Sequence, residues 1–194
     1  MLLERQEEAG ADALFVGMHE KRRTFDFGRT VRTLLHRARR PVWLQPGPWR
    51  EIESILAPVD FSAHSRASLD SAVTLARGLG AEVRVVHAFV PPHLAYPEDV
   101  ARAAGWPREP EVFFREQAQE DLEAFVAATA WHDVRHRQEF VDGLPEEAIL
   151  ERAGDAQLVV MGSRGHTGLL GPLLGHVTYD IMKQSPAPVL ALRR

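Results

Sequence analysis

The feature that most constrains the fold is a unit of strand, glycine-containing loop, helix, proline and strand that occurs twice in the chain. One copy spans residues 9–47 and the other spans residues 153–194. The corresponding segments, in the same order in both copies, are Ala9-Gly10 with Ala153-Gly154, Leu14-Phe15-Val16 with Leu158-Val159-Val160, Gly28 with Gly175, and Pro41-Val42 with Pro188-Val189. Repeated units of this kind pack beside one another to bury a shared core. We interpret the pattern as an internal duplication.

Between the two copies, short valine-rich or otherwise apolar runs alternate with segments whose apolar residues have helical spacing. The expected strands are 55–59, 82–90 and 134–141, and the expected helices are 65–80, 111–130, 146–153 and 177–184. The segment 91–110 contains several prolines and is expected to be irregular. Alternating strands and helices predict a parallel sheet with helices on both faces. Such sheets bind ligands beyond the carboxyl ends of their strands, at the point where the strand order reverses.

Composition excludes several classes of function. A net charge of -4 leaves no basic footprint for nucleic acid. No apolar run approaches the roughly 20 residues that span a bilayer, and the N-terminal residues do not resemble a signal peptide. The absence of cysteine excludes disulfides and thiolate metal sites. We therefore expect a cytoplasmic protein that binds neither nucleic acid nor membrane.

A glycine-rich loop near the C-terminus is the strongest candidate for a binding site. An apolar strand leads into this loop at Gly162 and Gly165, and Gly175 stands where the next helix begins. Glycines let backbone N–H groups approach an anion closely, and a helix N-terminus adds its dipole. Asp60 directly follows the strand 55–59 and should lie at the same edge of the sheet. Its carboxylate could accept hydrogen bonds from a ribose or a base.

These residues together resemble the universal stress protein family over residues 52–194. The motifs of the resemblance are Pro58-Val59-Asp60-Phe61-Ser62, Met161-Gly162 with Gly165 and Gly175, and Pro188-Val189-Leu190. The resemblance implies a Rossmann-like α/β fold of the adenine nucleotide alpha hydrolase-like type. It also implies a five-stranded parallel sheet with strand order 3-2-1-4-5 and helices on both faces.

The resemblance divides the chain into two parts. Residues 51–194 correspond to a complete domain, and residues 1–50 correspond to a degenerate C-terminal strand-loop-helix-strand part of a second one. The chain thus resembles a tandem protein without the front of its first half, and the sequence leaves open whether Met1 is the natural start. Glu20 and Asp26 lie in the loop of the first copy. Because their carboxylates would repel phosphate, this copy is expected to bind no nucleotide.

One subclass of the family binds ATP through the pattern G-x2-G-x9-G-(S/T), and the resemblance carries that site to this chain by position. The implied nucleotide-binding residues are Pro58, Val59, Asp60, Ala88, Met161, Gly162, Arg164, Gly165, Gly175, His176, Val177 and Thr178. The implied cofactor is ATP, with or without Mg²⁺, in a regulatory or stress-response role. The loop lacks the Gly-Lys-Ser/Thr ending of P-loop enzymes, so we expect at most slow ATP hydrolysis and assign no catalytic residue.

His176 departs from this pattern, which has serine or threonine at that position. Two interpretations remain open at the level of sequence. The histidine could keep its backbone N–H for a phosphate, with Arg164 and His166 adding positive charge. Its larger side chain could instead fill and block the phosphate site. The chain would then be a nucleotide-free, dimerising interaction module.

Other candidates have simpler explanations. His132 and His136 lie four residues apart, but the segment 134–141 alternates like a strand, which separates them by about 13 Å. No metal site is therefore expected. His87 ends an apolar strand and is interpreted as a core or edge histidine with a hydrogen-bonded partner. In the resembled family the last strands of two domains pair antiparallel. We therefore expect residues 41–45 to pair with Pro188–Arg193, within one chain as a pseudo-dimer or between two chains as a homodimer.

Overall fold

A computed structural model of the protein describes residues 2–17, 34, 37–95, 110–163 and 175–192. The helices are α1 (Leu2–Glu8), α2 (Ala63–Leu79), α3 (Pro92–Ala95), α4 (Pro110–Ala127), α5 (Pro145–Ala153) and α6 (His176–Gln184). The strands are β1 (Leu14–Gly17), β2 (Val42–Gln45), β3 (Ser54–Pro58), β4 (Glu82–Phe89), β5 (His136–Asp142), β6 (Leu158–Gly162) and β7 (Val189–Leu192). Most of the expected irregular segment 91–110 and the loop residues Arg164, Gly165 and His166 lie outside the described residues.

The sheet is mostly parallel and has seven strands, in the order β1-β2-β7-β6-β3-β4-β5. The expectation of a five-stranded, all-parallel sheet in the order 3-2-1-4-5 is therefore not matched by the sheet as a whole. Within it, the five strands after residue 51 lie in the order β5-β4-β3-β6-β7, which is 3-2-1-4-5 when they are numbered along the chain. β1 and β2 extend the sheet beyond β7, and β2 runs antiparallel to it. The physical reason is that the last strand of a five-stranded sheet would present an unpaired edge, and β2 covers that edge.

Helices pack on both faces of the sheet, as the alternation of strands and helices predicted. On one face, α2 and α4 bury Leu69, Val73 and Leu122 against Ile55 and neighbouring strand residues. The opposite face is covered by α5 and α6, whose buried residues include Ile149, Ile181 and Met182. β3 lies at the centre of this arrangement with every residue buried. The two faces together give the fold a continuous core on either side of the sheet.

Helix α2 shows how local sequence signals set the boundaries of an element. Ser62 is its N-cap and accepts a hydrogen bond from the Ser65 N–H through its side chain. Gly80 ends the helix in the left-handed conformation, with its N–H bonded to the Ala76 carbonyl. The predicted helix 65–80 differs from the observed one by two residues at the start and one at the end. Serine and glycine are preferred residues at the N-terminal and C-terminal caps of helices, so the local sequence is compatible with both observed boundaries.

Strands β1 and β2 pair in parallel as β6 and β7 do, but the sequence-based alignment of these two segments was wrong by one residue. Leu14 lies opposite Val42 in β1 and β2, whereas Val159 lies opposite Val189 in β6 and β7. The backbone N–H of Leu14 bonds to Pro41 as that of Val159 bonds to Pro188. Leu14 is therefore the counterpart of Val159 rather than of Leu158. This shift makes Gly17 the counterpart of Gly162 at the end of the strand.

The pairing of residues 41–45 with the last strand occurs within one chain. Val42, Trp43 and Leu44 lie opposite Ala191, Leu190 and Val189 in an antiparallel register. All six of these residues are buried. Within the described ranges, none of the helices is long and apolar enough to cross a membrane.

Deleting residues 1–46 is expected to change the oligomeric state of the protein or cause aggregation, because it uncovers the backbone edge of β7 and its apolar neighbours. Size-exclusion chromatography with light scattering would measure this. A deletion of residues 1–10, which removes α1 and leaves β1 and β2, is the matched control. A soluble truncated protein with the oligomeric state of the full chain would contradict the expectation.

Candidate functional site

The carboxyl ends of β3 and β6 form the crevice at which the strand order reverses. β3 pairs in parallel with both β4 and β6. From β3 the chain continues to β4 and β5 on one side, and it later returns through β6 to β7 on the other. From these adjacent strand ends the chain leads to α2 on one face of the sheet and to α6 on the other. In open α/β sheets this divergence creates the space in which ligands bind.

At the end of β3, Asp60 is fixed to the start of helix α2. Its Oδ1 accepts hydrogen bonds from the Ser62 N–H at 3.1 Å and from the Ser62 hydroxyl at 2.6 Å. The Ser62 Oγ in turn accepts from the Ser65 N–H at 3.1 Å. The carboxylate is thus bonded to the residue that caps the helix. This chain of bonds gives Asp60 a defined position at the carboxyl edge.

Phe61 has a backbone conformation that non-glycine residues rarely adopt. Its φ is 63°, in the left-handed region. The ring stacks on the imidazole of His87, with ring centres 4.3 Å apart, and contacts Phe125 at 5.6 Å in a tilted arrangement. Such a conformation persists where the surrounding packing stabilises it.

The exit of β4 supplies His87 and Ala88. The Nδ1 atom of His87 lies 2.9 Å from the carbonyl oxygen of Val59. Because a carbonyl only accepts hydrogen bonds, Nδ1 must carry the proton. Burial lowers the pKa of His87, and this effect outweighs the opposing influence of the Val59 bond and of Asp60 and Asp121. The sequence-based interpretation of His87 as a histidine with a hydrogen-bonded partner is confirmed.

At the exit of β6, hydrogen bonds join the strand end to helix α6. The Thr178 hydroxyl donates to the Gly162 carbonyl at 2.8 Å. The Ser163 N–H bonds to Leu192, and the Gly175 N–H bonds to the Ser163 carbonyl, each at 2.9 Å. Ser163 and Gly175, which flank the loop, are therefore joined by a backbone hydrogen bond. The Thr178 hydroxyl therefore already donates its hydrogen bond to a carbonyl of the protein.

Helix α6 begins at His176, directly after its N-cap Gly175. The ring Nε2 lies 3.2 Å from Oε1 of Glu146 in the first turn of α5, and the His176 side chain is 72% exposed. The two groups form an ion pair when the imidazole is protonated. The ring thus lies toward the N-terminus of α5, where one edge faces a carboxylate and most of the surface faces solvent.

The first turns of α5 and α6 therefore meet at His176 and Glu146, and a charged cluster attaches α5 to the sheet. Arg84 of β4 donates to Glu139 Oε1 at 2.9 Å, and Arg152 of α5 donates to Glu139 Oε2 at 2.7 Å. Burial by itself raises the pKa of Glu139 and is the largest single influence. The bonds from Arg152 and Arg84 together outweigh it, so the pKa lies below its usual value.

Several of the site residues inferred from the sequence lie at this edge, and two lie outside the described residues. Asp60, Ala88 and Gly162 follow or end three adjacent strands, and Gly175, His176, Val177 and Thr178 form the start of α6. The Met161 side chain is buried in the core beneath α6, and Pro58 and Val59 are also buried. Their contribution to a site is restricted to backbone atoms. Arg164 and Gly165 are not among the described residues.

Sequence reasoning did not assign roles to Phe61, Ser62, Ser163 or Glu146. A signal existed for Ser62, since an Asp-x-Ser segment before a helical run is typical of a capped N-terminus. No local signal existed for Glu146, which lies thirty positions before His176 in the chain. In the described part of the chain, no group of three or more His, Cys, Asp or Glu side chains is arranged to bind a metal. Cavities of about 190 and 150 Å³ lie beside α2 and α1 and have no lining residue from the inferred site.

Comparison with known proteins identifies the family. The model of the universal stress protein family matches residues 51–193. The chain belongs to the universal stress protein family. Universal stress protein MJ0531 of Methanocaldococcus jannaschii is 30% identical over 145 residues, which cover 73% of this chain and 82% of that protein.

Solved structures of the family show the same fold. The structure of MJ0577, a universal stress protein of the same archaeon, superposes with a TM-score of 0.60 at 26% identity, over 75% of this chain and 98% of that one. The structure of a putative universal stress protein of Pseudomonas aeruginosa superposes with a TM-score of 0.73 at 20% identity. The match covers 100% of this chain and 67% of that chain.

Replacing Glu139 with glutamine is expected to lower the free energy of unfolding by about 1–3 kcal/mol at neutral pH, because Arg84 is then left buried beside a neutral group. A carboxylate with a lowered pKa stabilises the fold above its usual pKa, and this contribution is lost as the pH falls through the folded pKa. The difference between wild type and Glu139→Gln should therefore hold at neutral pH and shrink as the pH falls below about 4.5, the usual pKa of this carboxyl group.

Urea unfolding at several pH values would measure this difference. The control is Glu151→Gln, because Glu151 bonds to the same Arg152 but its side chain is 78% exposed. Its substitution is expected to change stability by less than about 0.5 kcal/mol. Equal effects of the two substitutions, or a difference that grows at acidic pH, would contradict the assignment.

Proposed function

We propose that this universal stress protein is a regulatory protein that binds ATP or another adenine nucleotide in the crevice between β3 and β6. The observation that supports this most is that β3, which precedes Asp60, pairs with β6, which ends at Gly162, at the point where the strand order reverses. Asp60 is suited to accept hydrogen bonds from the adenosine end. Gly162, Gly165 and Gly175 would let backbone N–H groups contact the phosphates.

The start of α6 is suited to an anion. Its N-cap is a glycine, and among the described residues no side chain caps its first turn. The first N–H groups of a helix have no partner within the helix, and the helix dipole favours negative charge there. A phosphate at this position would accept from the backbone of His176 and Val177.

The position of the His176 ring favours nucleotide binding over the alternative of a blocked site. The ring lies beside Glu146 of α5, so the large side chain has a place that does not require the space in front of the glycines. The backbone N–H of His176 would then be able to donate to a phosphate. Mg²⁺ would be bound through the phosphates, as is usual for this ion.

We further propose that residues 1–50 act as a structural substitute for the second domain of a dimer. The antiparallel β2–β7 pairing and the aligned register of the two duplicated units support this intrachain pseudo-dimer. In this arrangement the edge that would otherwise pair with a second chain is already covered. A nucleotide is expected only in the part from residue 51 onward.

Freshly purified protein is expected to release adenine nucleotide on denaturation, in an amount close to one per chain. Anion-exchange chromatography of the supernatant would identify the nucleotide. Protein purified without nucleotide should bind ATP in the presence of magnesium when titrated by calorimetry. If the protein releases no nucleotide and also fails to bind ATP, the proposal is overturned and the nucleotide-free interaction module is supported.

Two substitutions test the phosphate side of the site. His176→Ser should leave ATP affinity unchanged or increase it, because serine adds a hydroxyl while the backbone N–H is retained. Gly165→Val should abolish measurable binding, because a branched side chain stands where a backbone amide must approach phosphate. Gly78→Val is the control, since an added Cβ there meets nothing within 4 Å. Equal ATP affinity of the Gly165 and Gly78 variants would contradict the assignment.

A further inference from the structure

The imidazole of His87 contacts the residue before Asp60 and the residue after it. Its Nδ1–H donates to the Val59 carbonyl at 2.9 Å, and its ring stacks on Phe61 at 4.3 Å between centres. Asp60 lies between these two contacts in the turn from β3 to α2. One side chain of β4 therefore contacts both neighbours of the carboxylate that is proposed to bind the nucleotide.

The stack of His87 on Phe61 affects the orientation of the Asp60 carboxylate. Phe61 has a φ of 63°, a value that non-glycine residues seldom adopt and that requires support from neighbouring groups. His87 and Phe125 support the ring on either side. Relaxing Phe61 to an ordinary conformation would turn the chain between Asp60 and Ser62. The bonds from Ser62 to the Asp60 carboxylate would then be lost.

Further aromatic contacts hold the imidazole of His87 in place. Phe140 of β5 lies 5.8 Å from its ring centre, and the Arg115 guanidinium lies over Phe140. On the other side, the Arg66 guanidinium lies 3.5 Å from the ring centre of Phe125. The backbone N–H of Val59 is bonded to Val86, one residue before His87. The imidazole is therefore part of a packed unit that joins β3, β4, α2 and α4.

We infer that His87 is a positioning residue of the proposed nucleotide site, which orients Asp60 through a hydrogen bond to Val59 and an aromatic stack on Phe61. The inference rests on the proposed function for its ligand, but its geometry is independent of any ligand. A purely structural role for His87 would stabilise the fold without a specific effect on Asp60. The two roles can therefore be separated by measuring binding and turn geometry as well as stability.

Two substitutions divide the contacts of His87. His87→Asn places an amide N–H near the position of Nδ1 and removes the ring, whereas His87→Phe retains a ring for the stack and removes the donor. His136→Phe is the matched control, because His136 also stacks on an aromatic ring, Trp131, and places Nδ1 3.3 Å from the backbone carbonyl of Val134. His136 begins β5, at the opposite end of the strands from the site.

Calorimetric titration with ATP should show that His87→Phe binds about five- to tenfold more weakly than wild type, the usual worth of one hydrogen bond. His87→Asn should recover part of this loss, and His136→Phe should bind as wild type does. Amide hydrogen exchange measures the turn without any nucleotide. The Ser62 N–H, which bonds to Asp60, should exchange faster in His87→Asn, which lacks the ring of the stack, than in His87→Phe or His136→Phe.

The outcomes separate this inference from the proposed function. If wild type binds no ATP, the proposed function fails, and the exchange of the Ser62 N–H still tests the positioning role. If wild type binds ATP and His87→Phe binds equally well, the inference is overturned. It is also overturned if the two His87 variants lose affinity equally and the Ser62 N–H exchanges alike in all proteins. If His87→Phe fails to fold, the comparison of His87→Asn with His136→Phe decides. The role of the stack would be overturned if the Ser62 N–H in His87→Asn exchanges no faster than it does in His136→Phe.

Discussion

The burial of β3 between β4 and β6 is the constraint on which the rest of the structure depends. Every residue of this strand is buried, and both of its edges form parallel ladders. A strand in that position can leave the sheet only at its ends, so the polar segment that follows Pro58 must lie at the carboxyl edge. The order of the strands then places the ends of β3 and β6 side by side. The candidate site is thus a direct consequence of burying β3 between two parallel neighbours.

The antiparallel pairing of β2 with β7 covers an edge of the sheet. A last strand with a free edge invites pairing with other chains. Here a segment from the beginning of the same chain covers that edge, and Val42 and Leu44 are buried with Val189 and Ala191 in the core beneath α6. The proposed nucleotide site lies beyond the carboxyl ends of the parallel strands, and β6 separates β7 from β3. Closing the edge of the sheet therefore leaves the crevice open.

The crevice combines groups whose positions are set by three separate interactions. The helix cap at Ser62 fixes the Asp60 carboxylate, the imidazole of His87 supports the residues on either side of it, and Thr178 joins Gly162 to α6. Each interaction satisfies a polar group that burial would otherwise leave without a partner. This arrangement is characteristic of a preorganised site, in which the side chains are already ordered before any ligand binds.

The sequence by itself determined the elements and the family. Apolar periodicity is a local signal, and it predicted α2, β4, α5 and α6 to within about two residues. The tertiary structure alone decided the number of strands, the one-residue shift between Leu14 and Val159, the left-handed Phe61 against His87, and the place of the His176 ring beside Glu146. These features depend on contacts between residues far apart in the chain. No local pattern specifies such contacts, because their energies arise only when the sheet brings the partners together.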